Sequence, residues 1–208
     1  MKDLPILFSG GMVRAILADR KVNTRRIVRL PPSYEAGEVG HAERCGDGWA
    51  LHCDPGPSIL LSCPYGQPGD RLWVRETWRG LDGWRPENGH LIEYRADGGK
   101  EWREAPEEVL SYQFKGEKWR PSIFLPRWAS RLTLEVTSIG VERLQAITEE
   151  GAKAEGCGLR PSGQDVNAAT TARSRFENLW TEINGKREGA DWASNPWVWV
   201  VGFKRVAL

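Results

Sequence analysis

The sequence predicts an α+β fold, a small mixed β-barrel decorated with short helices. Three observations favour this class: short strand-like segments dominate, only three helical segments interrupt them, and the chain has neither a repeat nor a low-complexity stretch. The 208 residues are 40% hydrophobic and 27% charged, which suffices for the core of a globular domain. We therefore expect one domain over residues 1–208.

The N-terminal elements are predicted from periodicity and turn residues. An apolar strand at 5–8 precedes a helix at 10–20, where apolar residues recur at helical spacing and Ser9 is a candidate N-cap. Alternating and β-branched residues predict a strand at 24–30. Residues 31–64 are rich in Gly, Pro and Asp and carry one hairpin signal, Gly-Asp-Gly, so we expect a surface insertion rather than core.

The C-terminal elements follow from the same rules. Thr148 is a candidate N-cap, because the two glutamates that follow it suit the positive end of a helix. An amphipathic helix is predicted at about 168–183, where four apolar residues have the i, i+3, i+4, i+7 spacing. Strands are predicted where polar and apolar residues alternate, at 71–76 after the turn Pro68-Gly69-Asp70, at 91–95, at 131–137 and at 197–206.

The charged and aromatic residues leave two interpretations open. The chain has 11 tryptophans and 21 arginines against 8 lysines, and both Trp and Arg stack on flat rings, as nucleotide recognition requires. Trp also fills barrel cores, and the net charge of +1 indicates no global basic patch. The first 30 residues nevertheless hold seven basic and two acidic side chains, a local +5 that suits either a phosphate-facing wall or a solvated face.

Several common sites are missing from the sequence. It has no Gly-x-Gly-x-x-Gly, no phosphate-binding lysine loop and no Gly-x-Ser-x-Gly elbow. The sequence has histidines and cysteines, the residue types that bind zinc, but they lack the Cys-x2-Cys spacing of tetrahedral zinc sites. We therefore expect the cysteines to pack as small apolar residues, and we expect no metal or other cofactor. The residues weighed for zinc are His41, Cys45, His52, Cys53 and Cys63.

The expected compartment is the cytoplasm. Four irregularly spaced cysteines do not form a dense disulfide framework, and the first residues lack the apolar stretch of a secretory signal. The apolar runs are too short for a transmembrane helix, so no membrane association is expected.

The residues that point most specifically to a chemical reaction lie between the end of the first predicted helix and the start of the next strand. A lysine that is desolvated beside arginines loses basicity, so Lys21 is a candidate general base near neutral pH. Thr24, three residues later, would then be a candidate nucleophile, as in hydrolases of the Ser-Lys type. A solvated turn is the alternative for this pair.

This segment and several others resemble the ASCH domain, a branch of the PUA-like β-barrels associated with RNA metabolism. Lys21, Thr24 and Arg26 match the signature Gly-x-Lys-x-x-Glu/Thr-x-Arg, while Asp19 stands where the signature usually has Gly. The resemblance covers most of the chain and leaves two insertions, at about 31–64 and 78–121. Further matching segments are 63–66 (Cys-Pro-Tyr-Gly), 68–70, 75–78 (Arg-Glu-Thr-Trp), 134–137, 144–155 and 199–203, as in long prophage-encoded members.

The resemblance implies an activity. Small bacterial ASCH proteins are amidohydrolases that remove the acyl group from N(4)-acetylcytidine with a Thr nucleophile, a Lys base and a Glu partner. Carried onto this chain, these roles fall on Thr24, Lys21 and Glu155, which are expected at element ends rather than in the core. An exposed carboxylate at a helix end is the alternative for Glu155.

The remaining expectations concern substrate and partners. Arg26, Glu76 and Trp78 are candidate substrate-binding residues, with a core tryptophan as the alternative for Trp78. The expected partner is a small modified nucleoside, with RNA as a second candidate, and the expected state is a monomer. The alternative function is an RNA- or DNA-binding ASCH module or a ribonuclease.

Overall fold

The structure, a computed structural model, describes residues 1–31, 39–53, 58–81, 89–110, 118–158 and 171–206. It is a mixed α+β protein in which strands predominate, and this part of the predicted fold class is confirmed. The strands are β1 (Asp3–Leu7), β2 (Asn23–Ile27), β3 (Val39–Cys45), β4 (Gly48–Cys53), β5 (Ile59–Leu61), β6 (Arg71–Arg75), β7 (Trp78–Leu81), β8 (Gly89–Tyr94), β9 (Lys100–Glu104), β10 (Thr133–Arg143) and β11 (Trp197–Val206). The helices are α1 (Gly10–Leu17), α2 (Glu107–Leu110), α3 (Glu149–Ala154) and α4 (Ala172–Asn184), with 3₁₀ turns at Ser122–Phe124, Arg127–Ala129 and Leu144–Ala146.

The chain divides into two compact units, each assembled from separate segments. The first unit comprises Met1–Asp19, Asp70–Glu135 and Arg205–Leu208, and the second comprises Arg20–Gly69 and Val136–Lys204. Lys21, Thr24, Arg26 and Glu155 therefore belong to the second unit, whereas Glu76 and Trp78 belong to the first.

The first unit contains two groups of strands. β1 runs parallel to β6, and β6 pairs antiparallel with the start of β10. β7, β8 and β9 form an antiparallel sheet over a small apolar cluster, in which the Tyr94 hydroxyl donates to the Ala129 carbonyl at 2.7 Å. Most of this sheet falls in the predicted insertion at 78–121, where the sequence predicted only the strand that is now β8.

The second unit places β2 against β11 and packs α3 and α4 on one apolar cluster. In the β2–β11 pair, Thr24 is opposite Val201 and Arg26 is opposite Trp199. The cluster is formed by Leu144, Ile147, Ala152, Ala172, Phe176, Trp180 and Val198. Since Phe176 and Trp180 are four residues apart on α4, the amphipathic spacing seen in the sequence provides one face of this core.

The insertion at 31–64 forms a second sheet of this unit. β3 and β4 make the hairpin that the Gly-Asp-Gly signal predicted, and β5 extends it as a third strand. Leu51 is fully buried, and Ala50 and Ile59 are less than 9% exposed. The expectation that this stretch contributes surface rather than core is therefore wrong for β4 and β5, because three apolar side chains there are buried.

Several predicted boundaries differ from the structure. β2 ends at Ile27 rather than at residue 30, and β10 continues to Arg143 rather than ending at residue 137. Helix α1 ends at Leu17 rather than near residue 20, because Asp19 adopts a left-handed backbone with φ of 51°. α4 begins at Ala172, after Thr171 accepts a hydrogen bond from the Ser174 amide as its N-cap. The predicted start at 168 lies outside the described residues. Thr148 caps α3 as predicted, since its hydroxyl accepts from the Gly151 amide at 3.0 Å.

Among the described ranges, no helix combines the length and the apolar character needed to span a bilayer.

Candidate active site

The backbone at Lys21 and Val22 is held between the end of α3 and strand β11, both in the second unit. Lys21 forms an isolated antiparallel β-bridge with Glu155, the residue that ends α3. The Val22 amide donates to the Ala154 carbonyl at 2.8 Å, and the Phe203 amide of β11 donates to the Val22 carbonyl at 2.8 Å. This short segment is therefore fixed on both sides, and the position of the lysine is set by the backbone as well as by its side chain.

The Lys21 ammonium and the Glu155 carboxylate form a buried ion pair. Lys21 Nζ lies 2.5 Å from Glu155 Oε2 and also donates to the Glu155 carbonyl oxygen at 3.3 Å. Lys21 is 2% exposed and Glu155 is 5% exposed. The alternative of an exposed helix-end carboxylate is therefore wrong, because the Lys21 segment bridges to Glu155 and covers it.

Burial and neighbouring charges act on Lys21 in opposite directions. Desolvation lowers the pKa of Lys21, the Glu155 charge and hydrogen bond raise it, and the Arg26 charge lowers it again. The net effect is a pKa below the ordinary value of 10.5. A lysine of lowered pKa yields a neutral amine, the form that a general base requires, at lower pH than an exposed lysine does.

Arg25 completes the buried charge cluster and was not among the residues predicted from the sequence. Its Nη1 donates to Glu155 Oε1 at 3.3 Å, and its Nε donates to Glu142 Oε1 at 2.8 Å. The guanidinium also lies over the Phe176 ring, 5.8 Å from its centroid. The Glu155 carboxylate is thus shared, one oxygen facing Lys21 and the other facing Arg25.

Thr24 and Arg26 occupy the other face of β2. Side chains alternate along a strand, so Thr24 and Arg26 point away from the side that Arg25 occupies. Thr24 is 2% exposed and is therefore buried, as Lys21 and Glu155 are. The expectation that these three residues lie at element ends is confirmed, but the expectation that they lie outside the core is wrong, since β11 and the end of α3 pack over this junction.

A cavity of about 420 Å³ opens in the same unit, lined in part by Ile27 and Val28, the two residues that follow Arg26. Tyr65, Trp199 and Ile27 contribute to its wall. Burial lowers the pKa of Arg26, and Tyr65 lies close enough to Arg26 to offset part of that lowering. Trp199 is paired with Arg26 across the β2–β11 ladder. Tyr65 belongs to the Cys-Pro-Tyr-Gly motif at 63–66, which the sequence singled out as a family feature but not as part of a site.

Glu76 and Trp78 lie in the first unit and have structural partners there. The Glu76 carboxylate accepts from Arg131 Nε at 2.8 Å and from Arg131 Nη2 at 3.0 Å. Trp78 is 2% exposed, belongs to the apolar cluster under β8, and lies 5.3 Å from the Arg120 guanidinium. These contacts favour the core alternative for Trp78, and a substrate-binding role for either residue stays a prediction.

The thiols of Cys63, which is buried, and of Cys157, which is partly buried, are not activated nucleophiles. Burial raises the pKa of Cys63 and of Cys157 to about 11 in each case. Cys157 packs against the apolar cluster of the second unit. Both thiols are therefore protonated at neutral pH, which agrees with the expected apolar packing of the cysteines. That expectation is wrong for Cys45, which is exposed.

No family model, curated protein or solved structure matches this chain. The site is therefore interpreted from its own geometry and from the sequence resemblance.

Proposed function

We propose that this protein is an amidohydrolase that removes the acyl group from N(4)-acylated cytidine or cytosine, with N(4)-acetylcytidine as its reference substrate. The observation that carries the proposal is the buried Lys21–Glu155 ion pair, three residues before the buried Thr24 hydroxyl on β2. A buried lysine of lowered pKa, a carboxylate beside it and a buried hydroxyl three residues along the chain are the residue types that metal-independent acyl transfer needs. The resemblance to ASCH amidohydrolases assigns the same three residues.

The proposed reaction proceeds through an acyl-enzyme. Neutral Lys21 takes the proton of the Thr24 hydroxyl as Thr24 Oγ bonds to the acyl carbon. The carbon–N4 bond then breaks, and the proton passes through Glu155 to the departing amine of cytidine. Water hydrolyses the ester on Thr24 and releases the carboxylic acid, which restores the starting state. Arg26 is the candidate donor to the developing oxyanion, because it extends from the same face of β2 as Thr24.

The cavity lined by Ile27, Tyr65 and Trp199 is the proposed site for the cytosine ring. Tyr65 and Trp199 both lie in its wall, and the partly exposed Tyr65 is the proposed stacking partner of the pyrimidine ring because Trp199 is only 3% exposed. A volume of about 420 Å³ lies within the range typical of small-molecule sites. The proposal includes a PUA-like barrel arrangement of the strands. It also includes a reducing, cytoplasmic compartment, which the free thiols Cys45, Cys63 and Cys157 support.

The direct test is incubation of the purified full-length protein with N(4)-acetylcytidine. We expect cytidine and acetate in equal amounts by chromatography, unchanged after treatment with EDTA, because none of the proposed steps passes through a metal. Free nucleoside and a short RNA that contains the modified base are compared in parallel. If neither is hydrolysed by folded protein, the amidohydrolase proposal is wrong.

The local positive charge at the N-terminus allows a separate test of the nucleic-acid-binding alternative. Arg14 donates to the Ala96 carbonyl at 2.7 Å, Lys21 is paired with Glu155, and Arg25 is paired with Glu155 and Glu142. Three of the seven basic residues thus have internal acceptors, which leaves at most four to contact phosphates. For single-stranded RNA we therefore expect weak binding with a log–log salt slope no steeper than about −3.

A filter-binding titration at several salt concentrations measures this slope. Arg20→Gln and Arg29→Gln serve as variants outside the buried cluster. A steeper slope, together with loss of affinity in both variants, would favour an RNA-binding module over the nucleoside enzyme.

A further inference from the structure

The β3–β4 hairpin carries two histidines that face each other. His41 and His52 are directly opposite in the antiparallel register, so their side chains share one face of the sheet. The two rings are stacked, with centroids 4.4 Å apart and an interplanar angle of 13°. The turn at 46–47 holds the two strands together, so the pair is defined by backbone pairing and not by chance contact of loops.

A glutamate joins this pair. Glu43 is two residues after His41 on β3 and therefore projects on the same face. Its Oε1 lies 2.8 Å from His52 Nε2, and one donor atom from each of His41, Glu43 and His52 lies within 4.8 Å of the other two. Ser58, on the other side of β4, has its hydroxyl 2.7 Å from His52 Nδ1.

We propose that His41, Glu43 and His52 form a binding site for a zinc-like divalent transition-metal ion on this hairpin. Two imidazoles and one carboxylate are the ligand set of many three-ligand zinc sites, in which water takes the fourth position. Metal–ligand bonds of about 2.0–2.2 Å place tetrahedral donor atoms about 3.4 Å apart. The three donors lie within 4.8 Å of one another, and binding would require the exposed His41 ring to turn out of the stack with His52 and the Glu43 side chain to turn with it.

The contact with Ser58 supports this assignment. Histidines that bind metal commonly use the second ring nitrogen for a hydrogen bond that fixes the ring orientation. The Ser58 hydroxyl contacts His52 at Nδ1, which leaves Nε2 for the contact with Glu43 and for a metal ion. The donor set also differs from the cysteine spacing that argued against zinc in the sequence, since no cysteine belongs to it.

The ion would link the two strands of the hairpin. Since each strand contributes at least one ligand, the bound metal would stabilise β3 against β4 and raise the melting temperature of the protein. The site lies in the insertion and uses no residue of the proposed hydrolase chemistry, so the metal site and the hydrolase proposal fail independently.

The test is titration of the full-length, EDTA-stripped protein with Zn²⁺ by calorimetry, followed by X-ray absorption at the zinc edge. We expect one ion per chain, a nitrogen and oxygen ligand shell, a higher melting temperature with zinc, and no comparable binding of Mg²⁺, which prefers oxygen ligands. His41→Ala, His52→Ala and Glu43→Gln should each lower the zinc affinity by at least about 100-fold, and Ser58→Ala by about 10-fold.

The controls separate this site from the other zinc ligands of the chain. Cys45→Ser/Cys53→Ser should retain the wild-type zinc affinity, and Glu101→Gln, a strand carboxylate of the first unit, should retain it as well. Hydrolysis of N(4)-acetylcytidine should be the same in His41→Ala as in the wild type. Absence of zinc binding, a sulfur ligand shell, or affinity that is lost in the cysteine variant but kept in the histidine variants would overturn the proposal.

Discussion

Replacement of Thr24 by valine is expected to lower kcat/KM for N(4)-acetylcytidine by about 10³-fold or more, while the protein stays folded. Valine is nearly isosteric with threonine, so it fills the buried position on β2 without the hydroxyl that we propose as the nucleophile. Thr24→Ser keeps the hydroxyl and removes only a methyl group, so it should retain part of the wild-type rate. Steady-state kinetics with chromatographic detection of cytidine measures both variants.

Two checks make the Thr24 result decisive. Circular dichroism and a urea titration show whether the valine variant keeps the native fold. Mass spectrometry of wild-type protein quenched during turnover should detect an added acetyl group on the peptide that contains Thr24. If Thr24→Val retains near wild-type turnover, Thr24 is not the nucleophile, and a water molecule activated by Lys21 becomes the better mechanism.

The largest effect on stability is expected for Glu155→Ala. Removing the carboxylate leaves the Lys21 ammonium buried without its ion-pair partner, and breaking a buried pair in this way costs about 3–5 kcal/mol of unfolding free energy. Activity should also be lost, since Glu155 is the proposed proton carrier. Urea unfolding followed by tryptophan fluorescence measures the stability change.

The pKa of Lys21 determines how the unfolding free energy of Glu155→Ala changes with pH. Without Glu155, the pKa of Lys21 falls further below its ordinary value of 10.5, because the charge that raised it is gone. Between the folded and unfolded pKa values the unfolded state binds more protons, so stability rises with pH through that window. The deficit of Glu155→Ala should therefore be large near neutral pH and should shrink as the pH approaches 10.

Glu142→Gln is the matched control for Glu155→Ala. Glu142 also contacts Arg25, but its side chain is 32% exposed, so loss of its charge should cost about 1 kcal/mol or less. Lys21→Met in the Glu155→Ala background should recover part of the lost stability, because it removes the unpaired charge. Equal unfolding midpoints for Glu155→Ala and the wild type would show that the ion pair does not contribute to stability.

The sequence predicted those helices, strands and turns that are determined by residues close together along the chain. The strands at β6, β8 and β11, the Thr148 cap of α3 and the hairpin at 46–47 follow from alternation, capping and turn residues. β9 was missed because its residues, Lys-Glu-Trp-Arg-Glu, alternate between exposed and half-buried and offer only one large apolar side chain. β7 was missed because it is four residues long and contains a glycine.

The candidate site was predicted only in part, because its contacts join residues that are far apart along the chain. Lys21 and Glu155 were paired through the family resemblance, and the structure brings them together. Arg25 was missed because its two carboxylate partners are 117 and 130 residues away along the chain, and no local pattern shows which of two consecutive arginines turns inward. The burial of all three predicted catalytic residues was missed likewise, because it depends on β11 and α3 packing over the junction.

The left-handed backbone at Asp19 has a consequence for how such junctions are recognised in other sequences. A φ of 51° is free of strain for glycine and tolerated by asparagine and aspartate, whose short polar side chains suit this conformation, but it is unfavourable for β-branched residues. A search pattern that demands glycine two positions before the lysine would discard this chain. A pattern that admits Gly, Asn or Asp at that position describes the same chain reversal and would retrieve sequences of both kinds.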